Sequence, residues 1–247
     1  MSTTWNPSDK GASVTLTGSN LIASVSGTAS GTVRSIDRVA SGKTYFEVTF
    51  TTVSNITAGI ATAAASLTTG ATQTYTATVA NNTGSVAVNG ASLATLGAIT
   101  AGSVVCFAFD LDAQLFWARN GAAGNWNASA TANPATGAGG LALAPGGFGH
   151  GISAYGYCGF NSSASGSMTA NFGGSAFTGT VPSGFTSGIA SPSTPALSAV
   201  ATQLALEQWA GGTTNQMQAT QLALEQWAST SFVTPPTSVP AMVLVMA

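Results

Sequence analysis

The chain has 247 residues, with 5 Lys and Arg, 7 Asp and Glu, one His, two Cys and 30 Gly. A folded monomer of this size exposes on the order of 10,000 Å². So few charges cannot coat it, and 29 Ser and 35 Thr must supply the solvation in a β-rich composition. The scattered cations Lys10, Arg34, Arg38, Lys43 and Arg119 exclude a nucleic-acid partner, which is held by clustered Lys and Arg.

Eleven Phe and five Trp give material for a core, which argues against charge-driven disorder. The opening residues, Met1-Ser-Thr-Thr-Trp5, carry neither the basic nor the apolar part of a secretory signal. The expectation is a chain made and kept in the cytoplasm until something releases it. The longest apolar run, 241–247, falls well short of a bilayer-spanning helix, so no membrane span is expected.

From Trp5 to about Phe185, short alternating or apolar runs are separated by Gly, Asn, Ser and Thr clusters. Strands are predicted at 13–16, 21–25, 32–38, 44–51, 56–61, 72–79, 85–88, 104–110, 114–119, 151–158 and 167–172. With no long amphipathic helix between them, they argue for an all-β chain folded as an antiparallel sandwich. Asn81-Asn82-Thr83-Gly84 and Asn89-Gly90 are suited to turns, because Asn and Gly tolerate positive φ. Tyr155 and Tyr157 alternate with Ala154, Gly156 and Cys158, and the tyrosines are expected to pack in the core or between sheets. Cys106 and Cys158 sit in apolar runs and read as small buried thiols.

Chemistry-bearing patterns are sparse. Asp110 and Asp112, on one face of a strand, are expected to bond turn amides and to face solvent or Arg119. His150 stands alone in a glycine-rich loop, and no Gly-x-Ser-x-Gly elbow or phosphate-loop lysine occurs. Two Cys and one His do not make a structural zinc site. No catalytic residue, cofactor or metal is therefore expected. Asn125, Trp126 and Asn127, flanked by polar loop residues, are the candidate ligand loop, against the alternative that Trp126 is a lid on the core.

Residues 188–196, with Pro192 and Pro195 among Ser and Thr, read as a linker. Beyond them the decapeptide Ala-Thr-Gln-Leu-Ala-Leu-Glu-Gln-Trp-Ala occurs at 201–210 and, identically, at 219–228. An identical repeat signals two equivalent units, which either a helix or a strand pattern accommodates. Each unit carries Leu and Trp that it cannot bury alone. Leu204, Trp209, Leu222 and Trp227 are thus the candidate assembly or anchor residues, in a tail spanning 197–247.

Four stretches in order resemble the SPRY domain family. The first is Ser41-Gly42-Lys43-Thr44-Tyr45-Phe46-Glu47-Val48, and the second Ala58-Gly59-Ile60-Ala61-Thr62. The third runs from Gly102-Ser103-Val104-Val105-Cys106-Phe107-Ala108-Phe109-Asp110 to Leu115-Phe116-Trp117-Ala118-Arg119-Asn120-Gly121. The fourth is Ala170-Asn171-Phe172-Gly173 followed by Val181-Pro182-Ser183-Gly184-Phe185. Within the third stretch one hairpin is expected, with Val105, Phe107 and Phe109 alternating on one strand and Leu115 and Trp117 on the next.

The resemblance spans residues from about 5 to 187, and residues 1–187 are expected to form one domain. It implies a bent, concanavalin-like sandwich of two antiparallel sheets, a non-catalytic scaffold whose loops bind partners. No peptide-binding residue is carried over, because the chain departs from peptide-binding members in its near-absence of charge. A SPRY-like domain followed by tandem Ala-Leu-Glu-Gln-Trp segments is also similar to structural proteins of tailed bacteriophages. The expectation is a virion component, associated with capsid or tail, whose partners are other virion proteins and copies of itself. The alternative is a fibre or adhesin module for a host glycan or receptor.

Overall fold

The computed structural model describes residues 3–68, 73–161 and 165–190, which form two antiparallel sheets packed face to face. The strands are β1 (Trp5–Lys10), β2 (Thr15–Thr17), β3 (Ile22–Val25), β4 (Gly31–Val39), β5 (Lys43–Thr52), β6 (Ile56–Ala61), β7 (Thr76–Ala80) and β8 (Ser85–Val88). They continue as β9 (Ala91–Thr95), β10 (Ser103–Asp110), β11 (Leu115–Asn120), β12 (Leu141–Ala142), β13 (Ala154–Phe160), β14 (Gly166–Asn171) and β15 (Thr186–Ser187). One sheet runs β1-β4-β13-β6-β7-β8-β9 and the other β12-β11-β10-β5-β14-β3-β2. β15 pairs in parallel with Thr44 and Tyr45 of β5, just past Glu47 where β14 stops. The predicted all-β antiparallel sandwich is what forms.

Alternation along the central strands builds two apolar layers. Phe46, Val48 and Phe50 of β5 and Val105, Phe107 and Phe109 of β10 point between the sheets. The rings of Phe46 and Phe107 stack there at 5.0 Å between centroids. The residues between them point outward, so Tyr45, Cys106 and Ala108 join Trp117, Trp126 and Phe185 in a second cluster on the outer face.

Register and space set the faces that β11 and β13 present. On β11, Phe116 and Ala118 face the main core opposite Phe109 and Phe107, so Leu115 and Trp117 fall on the other side. On β13, Ala154, Cys158 and Phe160 face the main core, and Tyr157 is buried instead on the outer surface beside Ala61 and Ala65. Space sets that phase: a Cβ at Gly156 would come within 2.5 Å of the Phe172 ring, which needs the gap between the sheets.

The strands missing from the prediction lie mostly at edges. β1 contains Pro7 and a register shift between Trp5 and Lys10, and β9 is an exposed edge, so neither shows clean alternation. β12 and β15 have two residues each, too few for a periodic signal. The Asn89-Gly90 turn forms as read, with φ of +52° and +80° between paired Val88 and Ala91.

Each outer face is covered by a loop tied down through one polar side chain. Arg34, on β4, donates from Nε and Nη2 to the Asp9 carboxylate at 2.7 and 2.8 Å. Its Nη1 donates to the carbonyls of Thr62, Ala63 and Ala65 at 3.3, 3.1 and 2.8 Å. That guanidinium holds the segment after β6 over the first sheet, while Gln73 Nε2 donates to the Tyr157 hydroxyl at 2.6 Å.

Candidate binding face

On the second sheet the covering loop is 121–140, and the candidate ligand residues lie within it. Trp126 is almost wholly buried, with the Arg119 guanidinium 4.4 Å from its ring centroid and Tyr45 edge-on at 6.4 Å. Asn127, at φ +47°, extends the hydrogen bonding of β11 with its side chain. Its Oδ1 accepts from Ala118 N at 2.9 Å, and its Nδ2 donates to the carbonyls of Phe116 and Gly139 at 3.1 and 2.9 Å. Asn125 alone of the three is exposed. The polar sequence around Trp126 thus reflects backbone pinning, which Asn performs where a third strand is absent.

The second cover, residues 173–189, is latched by Glu47. This buried carboxylate accepts from Tyr45 Oη at 2.6 Å, Gly179 N at 2.7 Å and Thr178 N at 2.9 Å, with Cys106 Sγ at 3.8 Å. Burial pushes the Tyr45 phenol far above its ordinary range, and its hydrogen bonds to Cys106 and Glu47 add to the rise. Burial also raises the Cys106 thiol, with the Glu47 charge reinforcing it and Tyr45 and Arg119 opposing it. Both groups are held neutral, so the cluster offers a closed latch and no activated nucleophile.

Asp110 Oδ1 accepts from the amides of Asp112 and Ala113 at 3.0 and 2.9 Å, which fixes the turn between β10 and β11. Its Oδ2 lies 3.7 Å from Lys43 Nζ, so the expected partner Arg119 is replaced by Lys43, its cross-strand neighbour. Arg119 pairs in register with Cys106 and points to the other cover. Cys106 and Cys158 are free and buried, and burial raises the Cys158 thiol well above its usual value. Among the described residues no group of three or more His, Cys, Asp and Glu could hold a metal ion. The candidate anchors Leu204, Trp209, Leu222 and Trp227 lie outside the described residues.

Among the described residues, one end of the sandwich gathers several exposed connections. Antiparallel pairing brings together residues 40–42, 62–68, 73–75, 89–90, 111–114 and 143–153. Exposed large apolar side chains among the described residues are Ile36, Tyr75, Leu93 and Ile152, and Tyr75 and Ile152 both belong to this end. Tyr75 takes φ +66°, with its N–H donating to Asn89 Oδ1 at 3.2 Å and its carbonyl accepting from Thr62 N at 3.0 Å. The 143–153 connection is rooted in the core by fully buried Leu143 and Phe148. His150 is exposed in it, and nearby Arg38 Nη1 donates to the Tyr155 hydroxyl at 3.4 Å.

Sequence reasoning missed Tyr75 for a definite cause. In a strand over 72–79 it shares a phase with Ala77 and Val79, both of which are fully buried, and so reads as core. The strand starts one residue later, at Thr76, and the left-handed backbone at Tyr75 turns the ring out.

No protein-family model matches the sequence, and no curated protein matches it. Among solved structures, the SPRY domain of human HERC1 is similar at 13% identity and a TM-score of 0.51, over 67% of this chain and 96% of that one. The TRIM65 PSpry domain is similar at 12% identity and a TM-score of 0.47, over 69% of this chain and 92% of that one. The fold is a SPRY-like β-sandwich.

Proposed function

We propose that the sandwich is a non-catalytic binding module that meets its partner at the loop end. The observation that carries this reading is the distribution of side chains. Asp9, Arg34, Glu47 and Asp110 are all committed to holding loops and turns, while Tyr75 and Ile152 stand exposed on connections at the open end. Aromatic and aliphatic anchors on rigid loops are what recognition uses. A scaffold of this kind needs no acid-base pair.

We further infer that the whole chain is a structural component of a virion, displaying the sandwich and held by residues 197–247. Support comes from the identical decapeptides at 201–210 and 219–228, whose Leu and Trp need a partner surface. Other virion proteins or copies of this chain would provide it. The test is the solution mass of the full chain beside a variant carrying Leu204→Ala, Trp209→Ala, Leu222→Ala and Trp227→Ala. An assembly that falls to a soluble monomer in the variant supports anchoring by the tail; equal masses would overturn it.

A further inference from the structure

We propose that Tyr75 is the stacking platform of a site for a neutral saccharide, a proposal that rests on the binding-module reading and names its ligand. Tyr75 is bulky yet holds φ +66°, a conformation that costs energy for any residue with a Cβ. Two hydrogen bonds keep it there, from Thr62 N to its carbonyl and from its own N–H to Asn89. The result is a tyrosine 43% exposed where the strand phase would have buried it.

The ring is also braced. A Cβ at Gly147 would lie 2.7 and 3.1 Å from Tyr75 Cδ1 and Cε1, so only glycine lets that backbone come so close. Gly147 is itself fixed through Gly147 N donating to Ala144 O at 3.2 Å, between the buried anchors Leu143 and Phe148. An immobile aromatic surface loses little freedom when a ligand settles on it.

Charge and size select the ligand class. No Asp, Glu, Lys or Arg occurs in 73–90 or 143–153, the segments that carry Tyr75, Asn89, Gly147 and Ile152. A charged ligand seated on Tyr75 would meet no carboxylate, ammonium or guanidinium from these segments. A stable protein interface buries about 800 Å² on each partner around several anchors, whereas here one ring carries Ile152 as its only large exposed companion on the facing connection. One pyranose ring matches that footprint, its C–H face on the tyrosine and its hydroxyls toward uncommitted polar groups. The Tyr75 hydroxyl and Asn89 Nδ2 have no partner among the described residues.

The experiment is affinity electrophoresis of the full chain through gels containing dextran, galactomannan or, as a charged comparator, polygalacturonate. The expected result is retardation by a neutral polymer, weakened tenfold or more in Tyr75→Gly and retained in Tyr75→Trp. Tyr75→Gly should melt no lower than the parent, because glycine relieves the φ strain; this separates lost binding from lost folding. No retardation by either neutral polymer, retardation by polygalacturonate alone, or retardation unchanged in Tyr75→Gly would each overturn the proposal. If a random peptide library instead yields binders that depend on Tyr75, the saccharide assignment falls while the binding module stands.

Discussion

Glu47 makes no salt bridge among the described residues; its oxygens take a phenol, a thiol and two amides of the 173–189 cover. Glu47→Gln keeps the shape but replaces one acceptor with an NH₂ that must face a donor. Leaving a buried donor unpaired costs about 1–3 kcal/mol, so the urea midpoint should fall accordingly, and an unchanged midpoint would contradict the latch. Alkaline pH tests the buried thiols. Cys158 is raised by burial, so the folded state keeps its proton while the unfolded thiol ionises above about pH 8.5. Stability is therefore fully present below that pH and declines as pH rises, by roughly 1.4 kcal/mol per unit for this group. Urea titrations at pH 7, 9 and 10 measure the slope. At this scale the sequence was partly legible: the thiols and Asp110 could be read from their apolar run and turn. The buried Trp126 was legible as one of two alternatives, whereas Tyr75 was not, because its exposure beside a strand follows from a backbone sign, φ, that periodicity does not report.

Arg34 joins strand to loop. Arg34→Lys cannot reproduce a fork that spans the Asp9 carboxylate and three carbonyls, so the cover over Tyr157 should loosen. Amide exchange at Thr62 to Leu67 is expected to speed up by one to two orders of magnitude. Global stability should drop by about 1–3 kcal/mol, as when buried carbonyls lose their donors. Exchange rates that stay at the parent value would show that the loop holds itself. Gly156→Ala probes packing between the sheets, where the added methyl meets Phe172 and Ile189. Overpacking of this kind costs about 1–3 kcal/mol, visible as a lower melting temperature. Central strands were readable because one face is apolar and the other is not. β1, β9 and the two-residue strands were not, since edge pairing depends on a neighbour's free N–H and C=O groups and leaves little trace in side-chain pattern.

For the sandwich as a whole, scarcity of charge makes salt nearly irrelevant. Among the described residues the one tight ion pair, Arg34 with Asp9, is largely shielded from water, and Lys43 with Asp110 stands 3.7 Å apart. Between low and 1 M NaCl the urea midpoint should shift by less than the equivalent of about 1 kcal/mol; a larger shift would reveal electrostatic support that the geometry lacks. Sheet edges are blunted by other means: Pro7, Asp9 and Lys10 on β1, a register shift in β9, and brevity in β2 and β12. Fold class was legible because eleven runs at short spacing leave few architectures, whereas which end of the sandwich stays open depends on how connections pack over the faces. One further consequence concerns time. Trp5 and Ile189 both converge on Phe172, the indole edge-on at 4.8 Å and the Ile189 side chain beside it over Gly156. β1 can pair with β4 early, but the ring contact of Trp5 closes only once Phe172 and Ile189, the last buried residue among those described, have been synthesised, so this part of the core completes late, at the slow rate of folds closed by their most distant segments.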